Sequence, residues 1–373
     1  MEIKNIMNYE KRKVMNDKIL KPYIIGETAY NHEGDINYLY RMIDDIAELK
    51  LNAIKFHMLL NPESYMQKKH PLIEKSKKWT FSKNQWNEII NYSNKKGLDI
   101  ILLCDDVESI EYILKNNNNI TAIELHATGL NDYFLLDAVS KFNKQIILGV
   151  GGSTIDEIAY AIDFLKNKEK NDILLMYGFQ SYPTKYTDIN LSKMIKIRGL
   201  FKLPIGYADH TAFDDPNNEV ISCMAAMMGF NILEKHFTPD YGIERIDYHA
   251  AVGKMQMLKI KELMMLALKV YGNGNLKMSK AELEYGNTGP MKKAIVAKKD
   301  IKKGEKLTLD NLWFKRTVEE SPIKQNQFLQ LIGLRALHDI KEDEIVDFTK
   351  VEYKFKKVDL VNFTHVEKSG RKK

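Results

Sequence analysis

Cysteine and proline are scarce in this chain: two and nine among 373 residues. Cys104 and Cys223 alone cannot build a disulfide framework or a cysteine zinc site, which points to a reducing cytoplasm. Long apolar runs are also missing. The longest, across 220–233, is broken by polar residues and falls short of the roughly 18–20 residues that a membrane span needs. The opening MEIKNIMNYEKRK carries charges but no apolar core, so no secretory signal is expected. An excess of one charge sign is lacking too. Fifty-six basic residues against 50 acidic ones leave +6, mostly lysine spread along the chain. The dense cluster Lys368, Arg371, Lys372 and Lys373 reads as a solvated tail. No nucleic-acid motif is present, and neither nucleic acid nor membrane is expected as a partner. What remains is a soluble globular composition, 44% hydrophobic and 28% charged, long enough for two cores.

Eight short apolar runs recur at 23–27, 53–57, 99–103, 121–125, 145–150, 173–177, 204–208 and 231–235. They are rich in Ile, Val and Leu and do not alternate, as strands buried on both faces read. Between them, segments such as 37–50, 84–95, 154–166 and 254–271 place apolar residues three and four apart, the pattern of amphipathic helices. Eight such units over 20–272 predict an α/β fold, a (β/α)8 TIM barrel. A doubly wound sheet would show a glycine-rich first turn, and IIGETAYNHEGD is not one. Residues 1–19 form an N-terminal extension. The stretch 273–291 is rich in glycine and asparagine and reads as a linker. Residues 292–352 contain an internal repeat, AKKDIKKGE against ALHDIKEDE, and predict a small β-clip domain. The basic tail spans 353–373.

A barrel gathers chemistry at the C-terminal ends of its strands. Glu27, Lys55 with His57, Glu124 with His126, Tyr182, Asp209 with His210, and Glu234 with His236 all fall there. One charged residue in such a place reads as an internal ion pair; six at the same end read as a site. His210 and His236 end adjacent units and are candidate ligands for one divalent ion, Mn or Mg, with Asp209 and Glu234 beside them. Lys55 either pairs with Glu27 or binds a substrate oxygen. Gly149-Val-Gly151-Gly152-Ser153 ahead of a helix reads equally as an anion-binding turn or a tight turn.

These residues also carry a resemblance. YIIGETAYNHEGD, AIKFH, SYPTKYTDINL, IGYADHT and ILEKHFT, in this order, resemble motifs of the sialic acid synthase (nonulosonate synthase) family. Residues 292–352, with NLWFKR, resemble its antifreeze-like SAF domain. The resemblance implies a TIM barrel joined to the small domain in a domain-swapped homodimer. It implies metal-dependent condensation of phosphoenolpyruvate with an N-acylated mannosamine-type sugar, in surface carbohydrate biosynthesis. It assigns His210 and His236 to the metal. It assigns catalysis to Glu27 and Lys55, with Glu124 and His126 in the rebuilt part of the site. Contacts to substrate fall to His57, Gln180, Tyr182, Asp209, Asp247 and Arg316, the last delivered by the small domain.

The departures from the family pattern concentrate on the phosphate side. Glu124 stands where the family has a phosphate-binding lysine, and Leu103, Gly149 and Ala208 stand where it has hydroxyl side chains. Gln180 replaces an asparagine. Three activities are compatible with this. One is a synthase with its phosphate moved to the GVGGS turn. Another is an aldolase, isomerase or hydrolase in which Glu124 or His126 is acid or base. The third is a non-catalytic sugar binder. A pocket around Glu124, Leu103 and Ala208 with no cation within about 4 Å would argue against phosphate there.

Overall fold

A computed structural model of the chain describes residues 20–116, 119–179, 181, 184–287 and 291–352. Eight parallel strands pair in sequence order and close on themselves: β1 (Tyr23–Glu27), β2 (Ala53–Met58), β3 (Asp99–Cys104), β4 (Ala122–Leu125), β5 (Gln145–Gly149), β6 (Ile173–Tyr177), β7 (Ile205–Asp209) and β8 (Ile232–His236). Each overlaps one of the eight apolar runs. The main helices that follow them are α1 (Ile36–Glu48), α2 (Lys83–Lys95), α3 (Val107–Asn116), α4 (Tyr133–Val139), α5 (Ile155–Asn167), α6 (Ser192–Phe201), α7 (Asn218–Met227) and α8 (Lys254–Tyr271). The fold is the (β/α)8 barrel.

Local sequence explains the elements. Asp35 accepts hydrogen bonds from the amides of Asn37 and Tyr38 and so starts α1, whose Leu39, Met42, Ile43 and Ile46 share the buried face. Thr154 and Glu157 form a reciprocal capping box at the start of α5.

Period-two alternation positions the site. Ile25, Ala53, Ile101, Ala122, Ile147 and Ile232 belong to the cluster inside the barrel. Their neighbours Ile24, Ile54, Ile100, Ile123, Ile146 and Leu233 belong to the larger cluster between strands and helices. Further along the same inward rows lie Glu27, Lys55, His57, Glu124, Glu234 and His236. Two close backbone approaches shape the mouth. A Cβ on Gly151 would sit 1.7 Å from the Gly178 oxygen, and one on Gly178 would sit 1.9 Å from the Ala208 oxygen. Glycine is required at both, and at Gly178 the φ of 147° requires it again.

The chain divides into two compact units between Gly274 and Asn275. The C-terminal unit holds the antiparallel pair β9 (Ala294–Ala297) and β10 (Leu312–Lys315) around its own core of Ile295, Ile301, Leu307, Ile340 and Val346. Its repeat has a structural meaning. The Ile301 amide donates to the Ile340 oxygen (2.8 Å) and the Ile340 amide to the Ile301 oxygen (2.9 Å). Lys302 pairs with Asp339, and Lys341 with Asp300, both at 3.0 Å. The two copies therefore bind each other through the same contacts in both directions.

Candidate active site

The strand ends open into a cavity of about 710 Å³. Glu27, Lys55, His57, Glu124, His126, His210 and Glu234 line it, together with Leu103, Gly149, Met176 and Ala208. At its floor lies one ammonium among three carboxylates. Lys55 Nζ donates to Glu124 Oε1 at 3.0 Å. It also lies 2.8 Å from Glu234 Oε2 and 3.2 Å from Glu27 Oε2; the Glu234 oxygen is close enough for an ion pair but lacks hydrogen-bond alignment. Lys55, Glu27, Glu124 and Glu234 are each only 2–3% exposed. Burial opposes charge on Lys55, but its three anionic neighbours outweigh burial and hold its pKa well above the ordinary lysine value.

Three carboxylates around one cation cannot titrate alike. Burial and the adjacent Glu27 charge push the Glu234 carboxyl well up, and it is hydrogen-bonded to Glu27. Burial would raise Glu27 as well, but Lys55 and the hydrogen bonds from Glu234 and His57 carry it well below the usual carboxylate range. Burial raises Glu124. His57 stands between two acids, with Nε2 2.8 Å from Glu27 Oε1 and Nδ1 3.7 Å from Asp105 Oδ2. Burial disfavours its charge, yet hydrogen bonds to Asp105 and Glu27 lift its pKa to about 10. The Tyr30 hydroxyl donates to the same Asp105 oxygen at 2.9 Å and holds it in place.

His210 and His236 lie side by side, with ring centroids 5.0 Å apart. Burial lowers their pKa to about 3 and about 4, so both rings are neutral, the form that binds a metal. His236 Nδ1 is buried without a hydrogen-bond partner among the described residues, and its Nε2 lies 3.7 Å from Glu27 Oε2. Two neutral imidazoles are a metal-ligand type of pair, but no group of three or more His, Cys, Asp or Glu among the described residues is arranged to hold an ion.

The structure brings together Glu27, Lys55, His57, Glu124, His126, His210 and His236. Asp247 joins them in electrostatic contact with His57, Glu27 and His210, its carboxyl raised by burial. His126 Nδ1 is bonded to Thr128, and burial followed by the His57 charge lowers its pKa to about 4. Gln180 and Tyr182 lie outside the described residues. Arg316 lies in the C-terminal unit, exposed, directly after β10.

One expectation needs correction. Asp209 does not reach the cavity. It lies between the inward residues Ala208 and His210, so alternation turns it outward. There it binds Lys235 (2.6 Å), Ser222, Thr211 and Tyr207. All are buried, and the Lys235 side chain is fully enclosed. The condition that would argue against phosphate beside Glu124 is not met, because the Lys55 ammonium lies at 3.0 Å. That cation is shared with two further carboxylates. Sequence reasoning missed Asp105; the acidic pair Asp105-Asp106 at the end of β3 was the available signal. Asp106 turns away to accept from the amides of Leu60 and Ser109.

A family model described as the NeuB family matches residues 42–275, and a SAF-domain model matches 292–352. The chain belongs to the NeuB family. N,N'-diacetyllegionaminic acid synthase of Campylobacter jejuni is 29% identical over 341 residues, covering 87% of this chain and 99% of that protein. An uncharacterized protein of Methanocaldococcus jannaschii is 30% identical over 325 residues, covering 87% and 93%. Among solved structures, the N-acetylneuraminic acid (sialic acid) synthetase from Leptospira borgpetersenii in complex with citrate superposes with a TM-score of 0.66 at 27% identity, covering 72% of this chain and 90% of that one. Within this NeuB-family chain, the model match spans β2 to β8 and every cavity-floor residue except Glu27. No described helix is long and apolar enough to cross a membrane.

Proposed function

We propose that this chain is a nonulosonic-acid-synthase-type enzyme that joins a three-carbon donor to the carbonyl of an N-acyl amino sugar, in surface carbohydrate biosynthesis. The observation that carries the reading is the pairing, in one cavity, of two neutral buried imidazoles with a charged network headed by Glu27 and Lys55. A divalent ion, Mn or Mg, would be held by His210 and His236 and would supply polarisation of the sugar carbonyl. Glu27, held ionised between Lys55 and His57, accepts hydrogen bonds from sugar hydroxyls. Charged His57, fixed by Asp105, donates to substrate oxygens. The proton in the hydrogen bond between Glu234 and Glu27 is available to the oxygen that gains charge as the new bond forms. Similarity to the legionaminic and sialic acid synthases supports the acceptor class.

A second reading is favoured by one specific observation, the carboxyl of Glu124 with its buried free oxygen. On it, the same cavity isomerises the sugar, with Glu124 as acid or base. The test incubates the full-length protein with Mn2+, a panel of N-acyl hexosamines and either phosphoenolpyruvate or pyruvate, with mass spectrometry for a nine-carbon acid. Formation of that acid by the wild type and its loss in His236→Ala is expected. Isomerised sugar with no C–C product would move the assignment to the second reading.

A further inference from the structure

Four basic side chains line the barrel cavity, and no arginine does so among the described residues. Lys55 is held by three carboxylates and His57 by two. His126 is bonded to Thr128, and His210 is given to the metal in the reading above. The acidic side is fuller. Asp132 and Glu157 line the outer wall, but both are occupied as helix caps. Asp132 accepts from the amides of Phe134 and Leu135, and Glu157 from that of Thr154. At the glycine turn 149–153, the other place for an anion, the amides of Ser153 and Thr154 are bonded within the chain, and the Glu157 carboxylate lies beside them.

Glu124 and Glu234 each carry a buried carboxyl oxygen without a hydrogen bond, and that of Glu234 lies 2.8 Å from Lys55 Nζ. Glu124 Oε1 holds Lys55, while its Oε2 is buried with no partner among the described residues, on a side chain 2% exposed at the cavity wall. Leu103, Met176 and Ala208, which line the same cavity, offer that oxygen no donor. A buried carboxylate oxygen left unpaired is costly, and a ligand hydroxyl would satisfy it. A phosphate at the same place would meet like charge in a poorly solvated pocket, where Lys55 is already shared among three acids and His57 is held between two.

We infer that Glu124 decides which substrates the cavity accepts: its Oε2 receives a hydroxyl of an unphosphorylated substrate, and its carboxylate keeps phosphorylated donors out. This rests on the condensation reading for the choice of donor, and it narrows that donor to a three-carbon compound without phosphate.

Isothermal titration of the full-length, Mn2+-loaded protein with phosphoenolpyruvate, inorganic phosphate and N-acetylmannosamine tests it on wild type, Glu124→Gln and Glu124→Ala, with circular dichroism confirming that each is folded. Neither phosphorylated probe is expected to saturate the wild type up to about 10 mM. Glu124→Gln, which removes charge at constant shape, is expected to bind phosphoenolpyruvate at least about tenfold more tightly. Glu124→Ala is expected to weaken N-acetylmannosamine about tenfold or more through the lost hydrogen bond. A wild type that saturates with phosphoenolpyruvate, with an affinity unchanged in Glu124→Gln, overturns the inference. Phosphate release from phosphoenolpyruvate during nine-carbon acid formation also overturns it and leaves the condensation standing. A Glu124→Gln protein that gains phosphoenolpyruvate affinity while no form makes a nine-carbon acid supports the inference and removes the condensation.

Discussion

Replacing Lys55 with methionine keeps the length of the side chain and removes the only ammonium at the cavity floor. Glu27 keeps His57, and Glu124 is the carboxylate to which Lys55 donates a hydrogen bond, so the group left most exposed to the loss is Glu124. Its escape is to take up a proton. The 2.5 pH units between the ordinary glutamate value of 4.5 and pH 7, at 1.36 kcal/mol each, set an upper bound of about 3.4 kcal/mol, because burial already raises Glu124 with Lys55 in place. That lies within the roughly 3–5 kcal/mol known for breaking buried ion pairs. The same reasoning gives about 1.4 kcal/mol at pH 5.5, where protonation is easier. Urea denaturation followed by tryptophan fluorescence measures this. Trp86 reports on the barrel, and a Trp313→Phe background silences the C-terminal unit. The double variant Lys55→Met/Glu124→Gln should recover most of the loss. A loss below about 1 kcal/mol at pH 7, or one that does not shrink at pH 5.5, would refute the account of Lys55 as the counter-ion of Glu124.

Three further outcomes follow from the same structure. Asp209→Ala strands the fully enclosed Lys235 ammonium and should cost about 3–5 kcal/mol in urea, whereas an Asp209 that served substrate instead would leave stability nearly unchanged. Burial lowers the pKa of His32 from 6.5 to about 3, so its neutral ring contributes stability above pH 6.5 that is lost as pH falls towards 3. By pH 5 this reaches about 2 kcal/mol, and His32→Asn, which keeps an acceptor near the Gly34 amide, should flatten that part of the acid slope of urea midpoints. Gly151→Ala places a Cβ against the Gly178 oxygen and should cost about 1–3 kcal/mol in thermal denaturation, with Gly152→Ala as a comparison whose Cβ meets no atom within 4 Å.

The barrel was legible because most of the buried strands are short runs of Ile, Val and Leu and several helices carry their own caps. Ile24 and Ile25 illustrate what was harder to see. They are adjacent and chemically alike, yet one faces the helices and the other the interior. In a strand buried on both sides, apolar residues do not reveal which face is which, so the inward row had to be fixed by the polar residues. Asp209 was misread for that reason: it sits beside His210 in sequence but one step out of phase. The strand-end acids and histidines were visible in advance. Their partners were not, since Lys55 meets Glu124 and Glu234 across 69 and 179 positions of chain, and only barrel closure brings them together. The AKKDIKKGE repeat was visible as a repeat, but the reciprocal pairing of its two copies required the fold.

The last barrel strand has a consequence for how the chain assembles. Glu234, Lys235 and His236 are consecutive ionisable residues that all end up buried, two pointing into the barrel and one out of it. Their compensating groups lie on β1, β2 and β7 and are far away until those strands are in place. Docking this segment early would strip water from charged groups with nothing to replace it. The expected outcome is that the strand sealing the cylinder pairs late, read in pulse-labelled refolding as later protection of the amides at Leu233–Phe237 than of those in the other strands.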